Sequence, residues 1–184
     1  MIAPSRSHSL HLAGRKFTYA ERGATKGPLP PGYRHIRRVG ELGTGRTTFD
    51  AAADFVLSWS MHRAAGLDVR ATSNRATEGV DALLRMGIGA LRISAPVRVV
   101  YDIADPARAG FAYGTLEGHP ERGEEAFVVT IGQDDFVSFH VVGFSRPATT
   151  LARLGGAAGR LLQDRAIDRY VKVVQRVVAR ESLL

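Results

Sequence analysis

The feature that most constrains the fold is a run of strand-like segments between residues 67 and 145, joined only by short turns. Apolar and β-branched residues recur in six segments, which span residues 67–72, 79–88, 90–104, 109–118, 124–132 and 135–145. Turn sequences such as ADPARAG, GHPERG and GQDD separate the later ones. Parallel neighbours need a crossover of a dozen or more residues, so short connections force antiparallel pairing. The sequence therefore predicts an antiparallel sheet.

Helix-like segments flank this run of strands. Residues 33–39 alternate as a strand, and residues 47–66 then place Phe55, Trp59 and His62 at helical spacing. After the sheet, a long helix over about residues 158–181 carries an apolar stripe and a separate basic stripe. The apolar stripe consists of Leu162, Ala166, Tyr170, Val173, Val174 and Val177. This order predicts an α+β fold, in which a curved antiparallel sheet wraps around the C-terminal helix and can leave an apolar cavity between them.

Length and composition place the chain among ordinary globular proteins. Its 184 residues fit one domain, and we expect residues 1–16 to be a flexible tail and residues 17–184 to be a single domain. The chain has no cysteine, which excludes disulfides, thiolate catalysis and Cys-ligated zinc. It shows no signal-peptide core and no membrane-spanning apolar stretch. We expect a cytoplasmic protein without a cofactor.

The net charge of +7 raises the question of an acidic partner. All but three of the 25 basic residues are arginine, and they are spread along the chain. Such a skew is typical of GC-rich coding and does not form a basic patch. We therefore expect no nucleic-acid partner, and the sequence does not indicate an oligomeric state.

The stretch GELGTGRTT, residues 40–48, resembles the phosphate-binding loop G-x-x-x-x-G-K-[ST], with Arg46 in place of the lysine. That loop works between a buried parallel strand and a helix. Here the preceding strand carries Arg34, His35, Arg37 and Arg38, and hairpins follow the helix. We interpret the glycines as a tight turn into the helix.

The most unusual stretch is GFAYGTLEGHPERGEEAF, residues 110–127, which reads as a hairpin. Alternation puts Phe111, Tyr113 and Thr115 on one face of its first strand. On the second strand, Glu125 shares a face with Phe127, and Glu124 shares the opposite face with Ala126. The pattern does not decide which face points inward.

Three interpretations of the polar cluster at this turn remain open. The first is a structural turn, set by Gly118, Pro120 and Gly123. The second is a cavity mouth that orients a ligand or performs acid–base chemistry with His119 and a glutamate. The third is a metal site formed by His119, Glu121 and Glu124, although this spacing matches no established ligand pattern.

Other polar residues lie on apolar faces. His62 and Trp59 on the first helix fit a hydrogen-bonded core. Ser138 and His140 are the polar members of an otherwise apolar strand face, which is typical of either a ligand-lined sheet or a satisfied buried pair. No nucleophile elbow accompanies a Ser/His/Asp set.

Several of these segments together resemble the domain-of-unknown-function family numbered nineteen-ninety. They are PPGYRHIRRVGELGTG, WSMHRAAGL, PVRVVYDI, GFAYGTLEGHPERGEEAF and GFSRPATTLARLGG, and the match runs from about residue 17 to 170. The layout is also similar to the START-like (SRPBCC) helix-grip superfamily, on its element order and its closing helix. That resemblance implies a cavity for an apolar or amphipathic ligand, because members bind lipids, hormones and polyketides, and some catalyse cyclisation or hydrolysis.

The sequence thus predicts binding of a small hydrophobic or amphipathic molecule between the sheet and the C-terminal helix. The ligand-binding candidates are Trp59, His62, Phe111, Tyr113, Thr115, His119, Glu124 and His140. The alternative is an enzyme on the same fold, a cyclase or hydrolase, in which His119 and Glu124 would be the acid–base pair.

Overall fold

Seven strands and three α-helices make up the part of the chain that the structure, a computed structural model, describes: residues 12–87, 93–148 and 156–181. In chain order the elements are a 3₁₀ turn (Ala24–Lys26), β1 (Arg34–Thr44), α1 (Arg46–Leu57), α2 (Ser60–Ala64), β2 (Asp68–Ala71), β3 (Asp81–Met86), β4 (Ile93–Asp105), β5 (Arg108–Thr115), β6 (Glu121–Ile131), β7 (Phe136–Pro147) and α3 (Gly156–Glu181).

All seven strands form one antiparallel sheet in the order β1-β7-β6-β5-β4-β3-β2. Strands β2 to β7 pair in sequence, and β1 closes against β7. Helix α3 lies across the inner face of the sheet, and inward side chains such as Val97, Phe127 and Phe139 form one core with it. The predicted α+β fold, a curved sheet around the C-terminal helix, is confirmed. Residues 88–92 of two predicted strands lie outside the described residues.

The helix predicted over residues 47–66 is broken in two. Helix α1 ends at Leu57, and Trp59 takes a left-handed conformation with φ 63° before α2 begins. A non-glycine residue adopts this conformation only where the surroundings hold it. Here Trp59 and His62 are both completely buried. Burial of these two rings, which helix propensity does not register, accounts for the break.

The sequence indicated a tight turn through the whole glycine stretch, but the first part of this stretch belongs to a strand. Strand β1 continues through Gly40 to Thr44, and the chain turns only at Gly45, whose φ of 92° favours glycine. Gly40 lies directly against Val171 of α3, where a Cβ atom would overlap the Val171 side chain. The first glycine therefore allows the C-terminal helix to approach the sheet.

Helix α3 turns an apolar face to the sheet. Its buried residues are Ile167, Tyr170, Val173, Val174 and Val178, so the stripe includes Val178 and leaves Val177 half-buried. The side chain of Leu162 lies outside the described residues. The basic stripe is exposed to solvent along its length, at Arg165, Arg169, Lys172, Arg176 and Arg180.

The segment that precedes β1 crosses the outer face of the sheet. Leu12 is buried, and Phe17 forms an isolated bridge with Leu116 at the end of β5. The rings of Tyr19 and Tyr33 pack edge-on against Phe144 of β7. We call residues 12–33 the N-terminal arm. Residues 12–16 of the predicted tail are placed in this arm, and residues 1–11 lie outside the described residues.

Candidate functional site

A partly open cavity of about 330 Å³ lies between the inner face of the sheet and α3. Its walls are mainly apolar, and their main members are Ile36, Leu67, Leu84, Met86, Ile93 and Ile167. Met86 and Ile93 are 42% and 47% exposed, which places the mouth of the cavity at that end of β3 and β4. A volume of this size is at the lower end of the range for small-molecule pockets.

One wall of the cavity carries a polar cluster built from facing strands. Tyr113 of β5 and Glu125 of β6 are cross-strand partners, and the Tyr113 hydroxyl donates a hydrogen bond of 2.9 Å to Glu125 Oε2. Tyr170, on α3, lines the same wall, and its hydroxyl interacts electrostatically with Tyr113 and Glu125. When Glu125 is ionised it can only accept, so Tyr113 is the donor of the hydrogen bond between them.

Glu125 is a carboxyl group in unusual surroundings. Burial raises the pKa of Glu125 to about 7, and the hydrogen bond from Tyr113 only partly offsets this rise. Protein surrounds the side chain, and its remaining exposed surface faces the cavity. The same enclosure, together with the charge of Glu125, raises the pKa values of Tyr113 and Tyr170, so both phenols keep their protons.

His119 is a second polar group on the cavity wall. Its Nδ1 lies 2.9 Å from the backbone nitrogen and 3.0 Å from the carbonyl oxygen of Glu121, so the Glu121 backbone holds the ring at the cavity wall. Burial lowers the pKa of His119 to about 4, so the ring is neutral at physiological pH.

Behind the two tyrosines lies a histidine without a polar partner. The His62 ring contacts the rings of Trp59, Phe111, Tyr113, Phe127 and Tyr170. Within the described part of the chain, neither His62 nitrogen has a hydrogen-bond partner, and neither does Trp59 Nε1. Burial lowers the pKa of His62 to about 3, so the ring is neutral. His62 and Trp59 pack behind the polar cluster and do not line the cavity.

Glu124, next to Glu125, points to the outer face of the sheet. Its carboxylate accepts hydrogen bonds from the Tyr19 hydroxyl (2.6 Å), the Gly23 N–H (2.7 Å), and both the N–H (3.1 Å) and the hydroxyl (2.5 Å) of Thr25. All these donors belong to the N-terminal arm. The carboxylate is thus saturated by the protein itself, and it anchors the arm.

The structure brings some of the predicted site residues together and separates others. Tyr113, Thr115 and His119 line the cavity, whereas Trp59, His62 and Phe111 lie in the core beneath it. His140 is on the outer face of β7, where its Nε2 lies 2.8 Å from the Ser138 hydroxyl. The Glu124 carboxylate is also on the outer face.

Sequence reasoning missed Glu125 and Tyr170 as site residues. Alternation had already grouped Glu125 with Phe127, and Tyr170 was already in the apolar stripe of α3. The sequence signal that could have identified Glu125 was its place on the same strand face as Phe127, a large aromatic residue expected in the core.

A wider groove of about 470 Å³ lies at the surface of the N-terminal arm. It is lined by cations, but two of them are engaged: Arg98 binds both oxygens of Asp81, and Arg15 donates to the Glu117 carbonyl. This groove is more open and much more polar than the cavity, so we place the candidate site in the cavity between the sheet and α3.

The sequence profile of a family described as "Domain of unknown function (DUF1990)" matches residues 18–182. The chain belongs to this family. Among its relatives, a UPF0548 protein from Deinococcus radiodurans is 37% identical over 79 residues, which cover 43% of this chain and 40% of the relative. A UPF0548 protein from Arabidopsis thaliana is 33% identical over 93 residues, covering 47% and 40%. The matched region of the DUF1990 chain thus spans about 40% of the length of these relatives.

Solved structures with low sequence identity share the fold. A hypothetical protein from Helicobacter pylori superposes with a TM-score of 0.57 at 11% identity, covering 80% of this chain and 95% of that one. Ara h 8.0201 superposes with a TM-score of 0.52 at 9% identity, covering 80% of this chain and 99% of that one. Norcoclaurine synthase from Thalictrum flavum superposes with a TM-score of 0.52 at 10% identity, covering 81% of this chain and 98% of that one. The DUF1990 chain therefore has the helix-grip fold that its sequence resembles.

No helix among the described residues is long and apolar enough to cross a membrane. No group of three or more His, Asp or Glu side chains within residues 12–87, 93–148 and 156–181 is placed to hold a metal ion. His119, Glu121 and Glu124 do not converge, because Nδ1 of His119 is used by the backbone and the Glu124 carboxylate lies on the outer face.

Proposed function

We propose that this chain binds a small hydrophobic or amphipathic molecule in the cavity between its sheet and α3. The observation that supports this most directly is a mainly apolar cavity with a polar cluster, formed by Tyr113, Glu125 and Tyr170, in its wall. Apolar walls would supply most of the affinity, and a few fixed polar groups would orient the ligand. Glu125 takes the role that the sequence assigned to Glu124.

The test uses a cavity-filling variant with a matched control on the same helix. Ala166 lines the cavity, whereas Ala179 is exposed near the end of α3. Wild type and Ala179→Phe should bind a neutral fluorescent naphthylamine probe, and Ala166→Phe should bind it far more weakly while keeping its melting temperature. No probe binding by wild type, with no ligand mass retained in native mass spectrometry of protein from its source cells, would contradict the proposal.

A second candidate function is catalysis on the same fold by a cyclase- or hydrolase-type enzyme. It is favoured by Glu125, because a carboxyl group with a pKa of about 7 can both donate and accept a proton near neutral pH. The neutral ring of His119 would be the second polar group in such a site. The fold accommodates catalysis elsewhere, since norcoclaurine synthase shares it. A pH–rate profile whose limb near pH 7 disappears in Glu125→Gln would support this function, and turnover unchanged in that variant would remove it.

A further inference from the structure

The charge of the cavity is opposite to that of the chain. The protein carries 25 basic and 18 acidic residues, yet the cavity-lining residues among those described include three glutamates and no lysine or arginine. Because Glu124 directs its carboxylate outward, Glu121 and Glu125 are the two acids that concern the interior. Glu121 is half-buried, and burial raises its pKa.

The arginines near the cavity are engaged elsewhere. Arg34 donates to the Gln163 amide oxygen and to both carboxylate oxygens of Asp164, at 2.6, 2.7 and 2.8 Å. Arg38 binds Asp164 and Asp168. These pairs hold the guanidinium groups between β1 and α3, where the charge of Arg34 partly offsets the rise in the pKa of Glu121. Among the described residues, no arginine or lysine forms an ion pair with Glu125.

The groups around Glu125 are all neutral or acidic. From β5 there is Tyr113, from α3 Tyr170, from α2 His62 behind the tyrosines, from the β5–β6 turn His119, from β6 Glu121, and from β7 the facing residue is Gly143. Oε2 accepts from Tyr113, and no group in the described part of the chain donates to Oε1. An ionised carboxylate in apolar surroundings is costly unless a partner neutralises it.

We infer that the ligand carries a cationic group, such as an ammonium, that binds the open oxygen of Glu125. This rests on the proposed function and names the class of ligand. The cation would pair with the carboxylate, and the rings of Tyr113 and Tyr170 would add cation–π attraction. The apolar remainder of the molecule would fill the space toward Leu84 and Ile167. A carboxylate or phosphate ligand would meet the same charge as its own and be rejected.

Binding of a cation by Glu125 also makes affinity depend on pH. The site must be ionised to pair with the ligand, and the pKa of Glu125 is about 7. Affinity for an ammonium should therefore be highest above pH 8 and fall about tenfold for each pH unit well below 7. His62 and His119 remain neutral over this range, because burial lowers their pKa values to about 3 and about 4.

The experiment compares three probes that share one alkyl chain: octylammonium, octanol and octanoate. Calorimetry at pH 8 should show octylammonium binding at least about tenfold more tightly than octanol, with octanoate weakest. Glu125→Gln should remove that preference while octanol binding stays the same. Glu41→Gln, at an exposed glutamate of β1 that does not line the cavity, is the control and should keep the whole preference. Glu121→Gln tests the second acid near the interior and should keep most of it.

Equal binding of all three probes by wild type would refute the cationic ligand and leave the cavity function standing. A preference that survives in Glu125→Gln, or that is lost in Glu121→Gln instead, would refute the assignment to Glu125. Failure of all three probes to bind would refute the proposed function itself, and the inference with it.

Discussion

Glu124 and Glu125 are neighbours in one strand, but they occupy opposite environments. On the outer face, Glu124 is 3% exposed and accepts four hydrogen bonds from the N-terminal arm. On the inner face, Glu125 has one donor, Tyr113, and an open oxygen beside an apolar cavity. Strand alternation separates the two side chains, and their partners decide what each one does.

The difference teaches that a saturated carboxylate and an unsaturated one have opposite effects on stability. Glu124 exchanges its water for four protein donors, so its burial supports the fold. Glu125 has lost most of its hydration and gained only one hydrogen bond, from the Tyr113 hydroxyl. Its raised pKa reflects the free-energy cost of ionising the carboxyl group there. Strained or poorly satisfied groups of this kind are typical of functional sites.

The largest expected effect comes from Glu124→Gln. The amide keeps one acceptor oxygen but turns an NH₂ group toward one of the two pairs of donors, so two of the four hydrogen bonds to the arm are lost. We expect the free energy of unfolding to fall by about 3 kcal/mol, measured by urea denaturation at pH 7. A change below about 1 kcal/mol would show that the arm is not anchored through this carboxylate.

Glu125→Gln should act in the opposite direction. Its folded pKa of about 7 lies above the ordinary value of 4.5, so the wild type loses stability as the pH rises from 4.5 through 7. The full difference between the two pKa values corresponds to about 3 kcal/mol of the free energy of unfolding. We expect a gain of about 2 kcal/mol at pH 8 in the variant, because part of the side chain remains open to the cavity.

The same denaturation series at pH 4 provides the control for Glu125→Gln. At that pH the wild-type carboxyl is protonated, and the two proteins should have nearly equal stability. A variant that is less stable than wild type at pH 8 would contradict the comparison between the two glutamates.

Gly40→Ala tests the inner face without touching either glutamate. The new Cβ would overlap Val171, whose branched side chain cannot easily rotate in a helix, so α3 must shift. We expect a loss of about 1.5 kcal/mol together with weaker probe binding in the cavity. Gly27→Ala is the control, since its Cβ meets nothing within 4 Å, and it should change neither quantity.

The smallest effect separates the two tyrosine donors. Tyr113→Phe removes the hydrogen bond that lowers the pKa of Glu125, so that pKa should rise above 7 by roughly one pH unit or less. Tyr19→Phe removes the corresponding donor to Glu124 and should leave the pKa of Glu125 unchanged. Carboxyl NMR titration measures both, and an equal response in the two variants would show that the faces are coupled.

Much of the architecture could be predicted because it depends on local patterns. Short turns such as GHPERG require antiparallel neighbours, and the 3.6-residue spacing of Tyr170, Val173 and Val174 identifies the buried side of α3. The break at Trp59 could not be predicted, because helix propensity does not record the burial of the Trp59 and His62 rings. Nor could the role of Gly40, which depends on a residue more than a hundred positions away.

For the site, the sequence alone determined that Glu124 and Glu125 lie on opposite faces, since the side-chain period of a strand is two. Only the tertiary structure decided which of them faces the cavity. Both faces of β6 are covered: Ala126 and Val128 pack on the outer side, and Phe127 and Val129 on the inner side. The pattern of apolar residues therefore does not indicate which face of β6 points to the cavity. Orientation is set by non-local packing of α3 on one face and of the N-terminal arm on the other.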